Sequence, residues 1–185
     1  MVPEPIAIVM NSAITLPDAA SAPVRAPRLL GLYLLLIIIA AIEAFDGLSH
    51  VPTLFGDMSD IPGPGVGGAI IKTYIASHPV LALAALALAT VGRLRYAIMA
   101  LGALVVMNWL NFMPSVVGHG LDFRGVAAFE TPVRIIAFPL MAACAIACAA
   151  RNQRLGLATA LVSIPSFIGV FGVIAFAIGV ALHGF

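Results

Sequence analysis

Five long apolar stretches alternate with short polar segments along this chain. Each stretch is apolar on all sides rather than along one stripe, which is typical of helices surrounded by lipid. At about 1.5 Å per residue, roughly 20 such residues cross a hydrocarbon core of ~30 Å. The pattern predicts five transmembrane helices, with a loop rich in glycine and proline over 50–68; the helices span about 29–49, 69–91, 96–117, 132–150 and 155–182.

The composition excludes the soluble classes of protein. Apolar residues make up 62% of the 185 residues and charged residues 9%, whereas soluble domains contain about 45–50% and about 25%. A soluble chain of this length could not bury so much apolar surface in one core. The net charge of +1 provides no attraction for nucleic acid. We therefore expect an all-α integral membrane protein whose partners are the lipid bilayer and other membrane subunits.

The segment before the first span differs from the rest of the chain. It contains Glu4 and Asp18, and its prolines interrupt any long helix; they are Pro3, Pro5, Pro17, Pro23 and Pro27. We expect residues 1–27 to form a tail in the cytoplasm and residues 28–185 to form a single transmembrane domain.

Basic residues predict the orientation of the chain. Six of the nine lie in the tail and in two short turns, after the second span and after the fourth; they are Arg25, Arg28, Arg93, Arg95, Arg151 and Arg154. With five spans, these three segments share one side of the membrane. The positive-inside rule then predicts a cytoplasmic N-terminus and an outside C-terminus, and we expect the membrane to be a bacterial inner membrane.

This topology gathers the four histidines and six of the eight acids at or near the outer face. Glu43, Asp46 and His50 are spaced i, i+3 and i+7, so they share one face of the first helix. Two carboxylates and an imidazole are suitable ligands for a divalent metal ion, with a fourth ligand from His78 or His119. The spacing therefore predicts a candidate metal site at Glu43, Asp46 and His50.

The same residues have a purely structural explanation. A carboxylate at hydrocarbon depth costs several kcal/mol unless it is paired, and Lys72 and Arg134 on other spans are expected at a similar depth to Glu43. Under this hypothesis Glu43 forms a buried ion pair with one of these cations. Asp46 and His50 are then ordinary residues of the membrane interface or of a helix end.

A haem is a further alternative, because two inward imidazoles at matching depth can ligate its iron. His78 is the one histidine clearly inside a predicted span, and its partner would be His50 or His119. These three histidines are therefore the candidate cofactor-binding residues. The leading expectation is that no cofactor is bound, with haem and a divalent metal as the alternatives.

The sequence contains no catalytic signature such as H-E-x-x-H, G-x-S-x-G, C-x-x-C or a P-loop. Cys144 and Cys148 lie one helical turn apart and are interpreted as packing residues. Many small residues in the spans favour close contact between helices. We expect a non-catalytic accessory subunit of a larger membrane complex; the alternative is a small redox, metal or haem protein acting at the outer face, and a transporter ranks third.

The arginine distribution makes a direct prediction about topology. A reporter fused after Phe185 should be active outside the cytoplasm, and one inserted in the Arg93–Arg95 turn should be active inside it. Activity of paired cytoplasmic and exported reporters at both positions measures this. The reverse pattern would contradict the predicted orientation.

Overall fold

The computed structural model describes residues 26–56, 65–121, 123–125 and 127–183, and no strand occurs in this part of the chain. Five of its helical spans are long and apolar enough to cross a membrane: Leu30–Phe55, Val66–Thr90, Leu94–His119, Ala128–Ala150 and Leu155–Leu182. The structure therefore confirms an all-α fold with five helices that are long and apolar enough to span a membrane. The predicted tail lies mostly in residues 1–25, outside the described residues.

The spans are built from seven α-helices and one π-helical segment. In chain order these are α1 (Ala26–Ser49), α2 (Val51–Phe55), α3 (Val66–Thr90), α4 (Leu94–His119), α5 (Ala127–Pro132), the π-helical segment Val133–Ala137, α6 (Phe138–Ala150) and α7 (Leu155–His183). Trp109 Nε1 donates a hydrogen bond to the carbonyl oxygen of Ile135 at 3.0 Å. This bond ties the π-helical segment to α4.

The first span and α3 both extend into residues 50–68, which the sequence predicts to be a loop because of their glycines and prolines. Pro52 lies in the first turn of α2, a position that tolerates proline because its missing N–H would have no helical partner. The span that begins at Leu30 therefore continues to Phe55, and α3 begins at Val66 rather than near residue 69. As a result, Glu43 and Asp46 lie well inside the first span instead of at its end.

The long helices form a closed ring in the order α1, α3, α4, α6 and α7, and α7 packs back on α1. Successive helices in the ring are antiparallel, because short turns join α3 to α4 and α6 to α7. With five members, the two helices that close the ring, α7 and α1, run parallel. Ser166 of α7 thereby reaches Glu43 of α1.

The helical bundle is densely packed along only half of its axis. We call the end formed by the turns at 91–93 and 151–154 the arginine end, and the half next to it the packed half. Side chains with no more than 1% exposure fill this half: Leu36, Ile39, Ala85, Ala89, Ala97, Ile98, Leu101, Ala145, Ala149, Ala158 and Val162. In the other half, the open half, no described side chain of α4 beyond Val105 or of α7 beyond Ser166 is buried.

Gly47 sets the distance between α1 and α3 at the boundary of the two halves. A Cβ at this position would lie 2.9 Å from Pro79 Cα and 2.9 Å from His78 Nδ1. Any larger residue would have to displace backbone rather than the end of a flexible side chain. The close approach of the two helices therefore depends on glycine here.

We expect Gly47→Ala to reduce the free energy of unfolding by about 1–3 kcal/mol, because the added methyl overpacks the α1–α3 contact. Gly31→Ala is the matched control on the same helix, since a Cβ at Gly31 meets nothing within 4 Å. Reversible unfolding of both variants in mixed micelles measures the difference. Equal stability of the two variants would show that the helices do not pack this closely.

Candidate metal centre

Four side chains with possible metal-ligand atoms converge at the boundary between the packed and open halves. Glu43 and Asp46 project from α1, His50 follows the end of α1, and His78 projects from the middle of α3. His78 lies twelve residues from either end of α3, which is roughly 18 Å at about 1.5 Å per residue. The cluster therefore lies about midway along the bundle axis and not at either end of it.

His78 is the centre of this cluster. Its side chain is 2% exposed, and its Nε2 lies 3.5 Å from Glu43 Oε2 and 3.8 Å from Asp46 Oδ2. Its Nδ1 is buried and has no hydrogen-bond partner. Two carboxylates thus share one imidazole nitrogen, an arrangement that suits either a protonated histidine or a cation held between the three groups.

His50 is oriented by its own helix. Its Nδ1 lies 2.9 Å from the carbonyl oxygen of Asp46. A carbonyl oxygen only accepts hydrogen bonds, so this contact suits the neutral tautomer that has its proton on Nδ1 and a free lone pair on Nε2. An imidazole that donates one N–H to a carbonyl and offers the other nitrogen is the usual arrangement of a metal-ligating histidine.

Glu43 is oriented from the opposite side of the ring. The Ser166 hydroxyl on α7 donates a hydrogen bond to Glu43 Oε1, and Oε2 faces His78. Hydrogen bonds of this kind commonly fix ligating carboxylates in metal sites. The carboxylate is thereby held toward His78 by a residue from a third helix.

Donor atoms of Asp46, His50 and His78 all lie within 4.8 Å of one another. Ligands bound to one tetrahedral metal ion at about 2.0–2.2 Å lie roughly 3.3–3.6 Å apart. The distances from His78 Nε2 to Asp46 and Glu43 are close to this separation. Small changes of side-chain rotamer would therefore allow these groups to bind a common ion.

Tyr74 forms one wall of the cluster. Its ring centroid lies 5.0 Å from that of His78 and 5.9 Å from that of His50, and the two imidazole rings are 5.7 Å apart. The tyrosine is 7% exposed. It restrains both histidines and excludes solvent from one side of the cluster.

The predicted ion pair of Glu43 with Lys72 or Arg134 is wrong. Glu43 contacts His78, and Arg134 pairs with Glu130 one turn away on its own segment. Lys72 is exposed and lies six residues before His78, roughly 9 Å nearer the end of α3. The prediction failed because the longer first span places Glu43 deeper than these cations.

His119 does not join the other histidines. A Cβ on Gly67 would lie 3.4 Å from Pro114, so these two residues mark the same level of α3 and α4. His119 lies beyond Pro114 and His78 lies far beyond Gly67 in the opposite direction, which separates the two by roughly 24 Å along the bundle axis. His119 instead lines an open cleft at the end of the open half, together with Arg134 and Glu130.

Two members of the cluster carry no sequence signal. Ser166 is on a helix more than 120 residues away from Glu43, and serine in a span usually bonds its own helix or a neighbour. Tyr74 precedes His78 by one turn, which indicates a shared helix face but no role. The ring order of the helices brings Ser166 to the site, whereas Tyr74 is there because it shares a face of α3 with His78.

No family model, no curated protein and no solved structure matches the chain.

We expect Ser166→Ala to lower the free energy of unfolding by about 1.5–3 kcal/mol, because a partly buried carboxylate loses a hydrogen bond. Ser163→Ala is the control, since the Ser163 hydroxyl bonds only to the Thr159 carbonyl of its own helix. Unfolding of both variants in the same micelles measures the difference. A loss no larger in Ser166→Ala than in Ser163→Ala would contradict the contact with Glu43.

Proposed function

We propose that this chain is an integral membrane protein that binds one divalent transition-metal ion inside its helical bundle. Asp46, His50 and His78 are the ligands, and Glu43 is the fourth. The observation that carries this proposal is the convergence of donor atoms from two helices around His78 Nε2. Mixed imidazole and carboxylate ligands suit zinc, iron and manganese.

Charge balance favours an ion over an empty cluster. Glu43 and Asp46 lie about midway along the bundle axis, a level at which unpaired carboxylates are costly in a membrane. Among the described residues, every lysine and arginine lies nearer to one end of the bundle than this cluster does. A divalent cation would neutralise both carboxylates and leave the two imidazoles uncharged.

The geometry favours a metal ion over haem. An axial histidine needs the face of a porphyrin directly beyond its Nε2, but two carboxylate oxygens lie within 3.8 Å of His78 Nε2. The close packing of His50, His78 and Tyr74 leaves no space for a flat macrocycle between the rings. The haem alternative therefore requires a large rearrangement that a single ion does not.

Access to the cluster favours a resident ion over a transported one. Asp46 is 57% exposed and Glu43 is 20% exposed, so the cluster is accessible from outside the packed side chains. Toward the arginine end the bundle is filled by fully buried apolar side chains. If the arginine end faces the cytoplasm, as the positive-inside rule predicts, the site exchanges its ion with the outer side of a bacterial inner membrane.

We expect the purified protein to bind one zinc ion per chain. His50→Ala, His78→Ala and Asp46→Asn should each weaken binding more than about 100-fold, since even residues that only support a ligand typically contribute 10–100-fold. His119→Ala is the matched control and should bind like the wild type. Metal analysis after equilibrium dialysis, together with zinc titration of each variant, provides the measurement.

Two results would contradict this function. One is a wild-type protein that retains no metal while remaining folded, and the other is unchanged affinity in His78→Ala. A Soret absorption band in the purified protein would favour haem instead of a single ion.

The part of α7 beyond Ser166 favours a second function. In this function the chain is a subunit of a larger membrane complex. Every described side chain from Phe167 to Ile178 except the half-buried Val170 is exposed, with Phe171 at 67% and Val173 at 69%. Added Cβ atoms at Gly169, Gly172 and Gly179 would meet nothing within 4 Å inside the chain. Small residues that are open in this way allow a helix of another protein to approach closely.

If α7 docks on another subunit, Gly172→Leu should reduce co-migration with larger membrane proteins after mild detergent extraction while the chain itself stays folded. Gly31→Leu, at an equally open glycine on α1, is the control. Native gel migration of both variants beside the wild type measures the effect. Migration of the wild type as a free monomer would count against the subunit role.

A further inference from the structure

The arginine end carries positive charge, and no acid of the described residues lies near it. Arg93, Arg95, Arg151 and Arg154 lie in or beside its two turns. The three acids in the described part of the chain are Glu43, Asp46 and Glu130, and all lie elsewhere. No ion pair joins these four arginines to a described residue. The end is therefore an electropositive surface at one face of the bundle.

A cleft of about 370 Å³ opens between these two turns. Tyr33, Arg93, Arg95, Asn152 and Leu155 are among its lining residues, and no acid is. The Tyr33 hydroxyl donates a hydrogen bond to the Gly92 carbonyl at 3.1 Å, which fixes the first turn against α1. The cleft therefore has walls from three helices and is not merely an exposed loop.

Two long helices begin at this cleft. α4 starts at Leu94 and α7 starts at Leu155, and neither has an acidic residue in its first turn. The N-terminal end of a helix presents free backbone N–H groups and the positive end of its dipole, both of which favour an anion. Their effects combine with that of the arginines in the same cleft.

Arg95 is held in the wall of the cleft. Its Nε is buried and has no hydrogen-bond partner, and a buried donor without an acceptor is unfavourable. Its guanidinium lies 5.6 Å from the centroid of the Tyr96 ring, which restrains the group without satisfying its N–H donors. Because this Nε has no accessible surface, an anion in the cleft would be held by the terminal Nη groups of the guanidinium instead.

We propose that the cleft between the N-terminal ends of α4 and α7 binds the phosphate headgroup of an anionic phospholipid. Guanidinium groups bind phosphate through paired charge-assisted hydrogen bonds. Headgroup phosphates lie just outside the ~30 Å hydrocarbon core, which is the level at which long apolar helices begin. Val91, Leu94 and Leu155 also line the cleft, and these apolar side chains would contact the first acyl carbons of a bound lipid.

The full-length protein, purified in a zwitterionic phosphatidylcholine environment, is titrated with phosphatidylglycerol, and bound lipid is counted by native mass spectrometry. We expect preferential retention of phosphatidylglycerol. Arg95→Gln should reduce this preference about tenfold, as for the loss of one charge-assisted pair, and Arg95→Lys should reduce it partly because an ammonium group cannot form the paired hydrogen bonds of a guanidinium. Lys72→Gln, a cation removed from the open half, is the matched control and should behave like the wild type.

Other results would overturn the proposal. If both Arg95→Lys and Arg95→Gln retain phosphatidylglycerol as well as the wild type and the Lys72→Gln control do, the cleft does not recognise a headgroup. If excess inorganic phosphate displaces the lipid completely, the site is one for free phosphate. If the preference emerges only in a Glu4→Gln, Asp18→Asn double variant, acids of the tail occupy the arginines instead. Should Arg95→Gln fail to fold, the exposed Arg93→Gln variant must show the loss.

Discussion

The placement of two carboxylates inside an apolar helical bundle is the constraint on which this structure depends. Glu43 and Asp46 lie on α1 about midway along the bundle, and His78 on α3 contacts both. Carboxylates at this depth require a partner of opposite charge. Neither Lys72 nor any described arginine is at that level, so the partner is either a protonated histidine or a bound cation.

The rest of the fold supports this contact. Gly47 brings α1 close to His78, and Ser166 on α7 holds Glu43 from the other side. Toward the arginine end the space between the helices is filled by small and aliphatic side chains, and in the open half no described side chain of α4 beyond Val105 or of α7 beyond Ser166 is buried. The packed half thus provides rigidity and the open half provides access, which is an arrangement suited to holding an ion and exchanging it from one side.

Sequence reasoning predicted the five spans from the length of the apolar stretches, and the shared face of Glu43, Asp46 and His50 from their helical spacing, because both are local properties of the sequence. It misplaced the depth of that face, since Pro52 was interpreted as part of a loop although proline is accepted in the first turn of α2. This error led in turn to the wrong ion-pair partners, Lys72 and Arg134. Ser166 was beyond prediction, because its position beside Glu43 depends on how α7 closes the ring.

The central claim is that His50, His78 and the α1 carboxylates bind one metal ion. X-ray absorption spectroscopy of the zinc-loaded protein tests this most directly, since it reports the atoms bound to the metal. We expect nitrogen and oxygen ligands at about 2.0–2.2 Å from the metal, with the signature of two imidazoles. Sulfur ligands at about 2.3 Å, which only Cys144 and Cys148 or a methionine could supply, or a shell without imidazole, would contradict it.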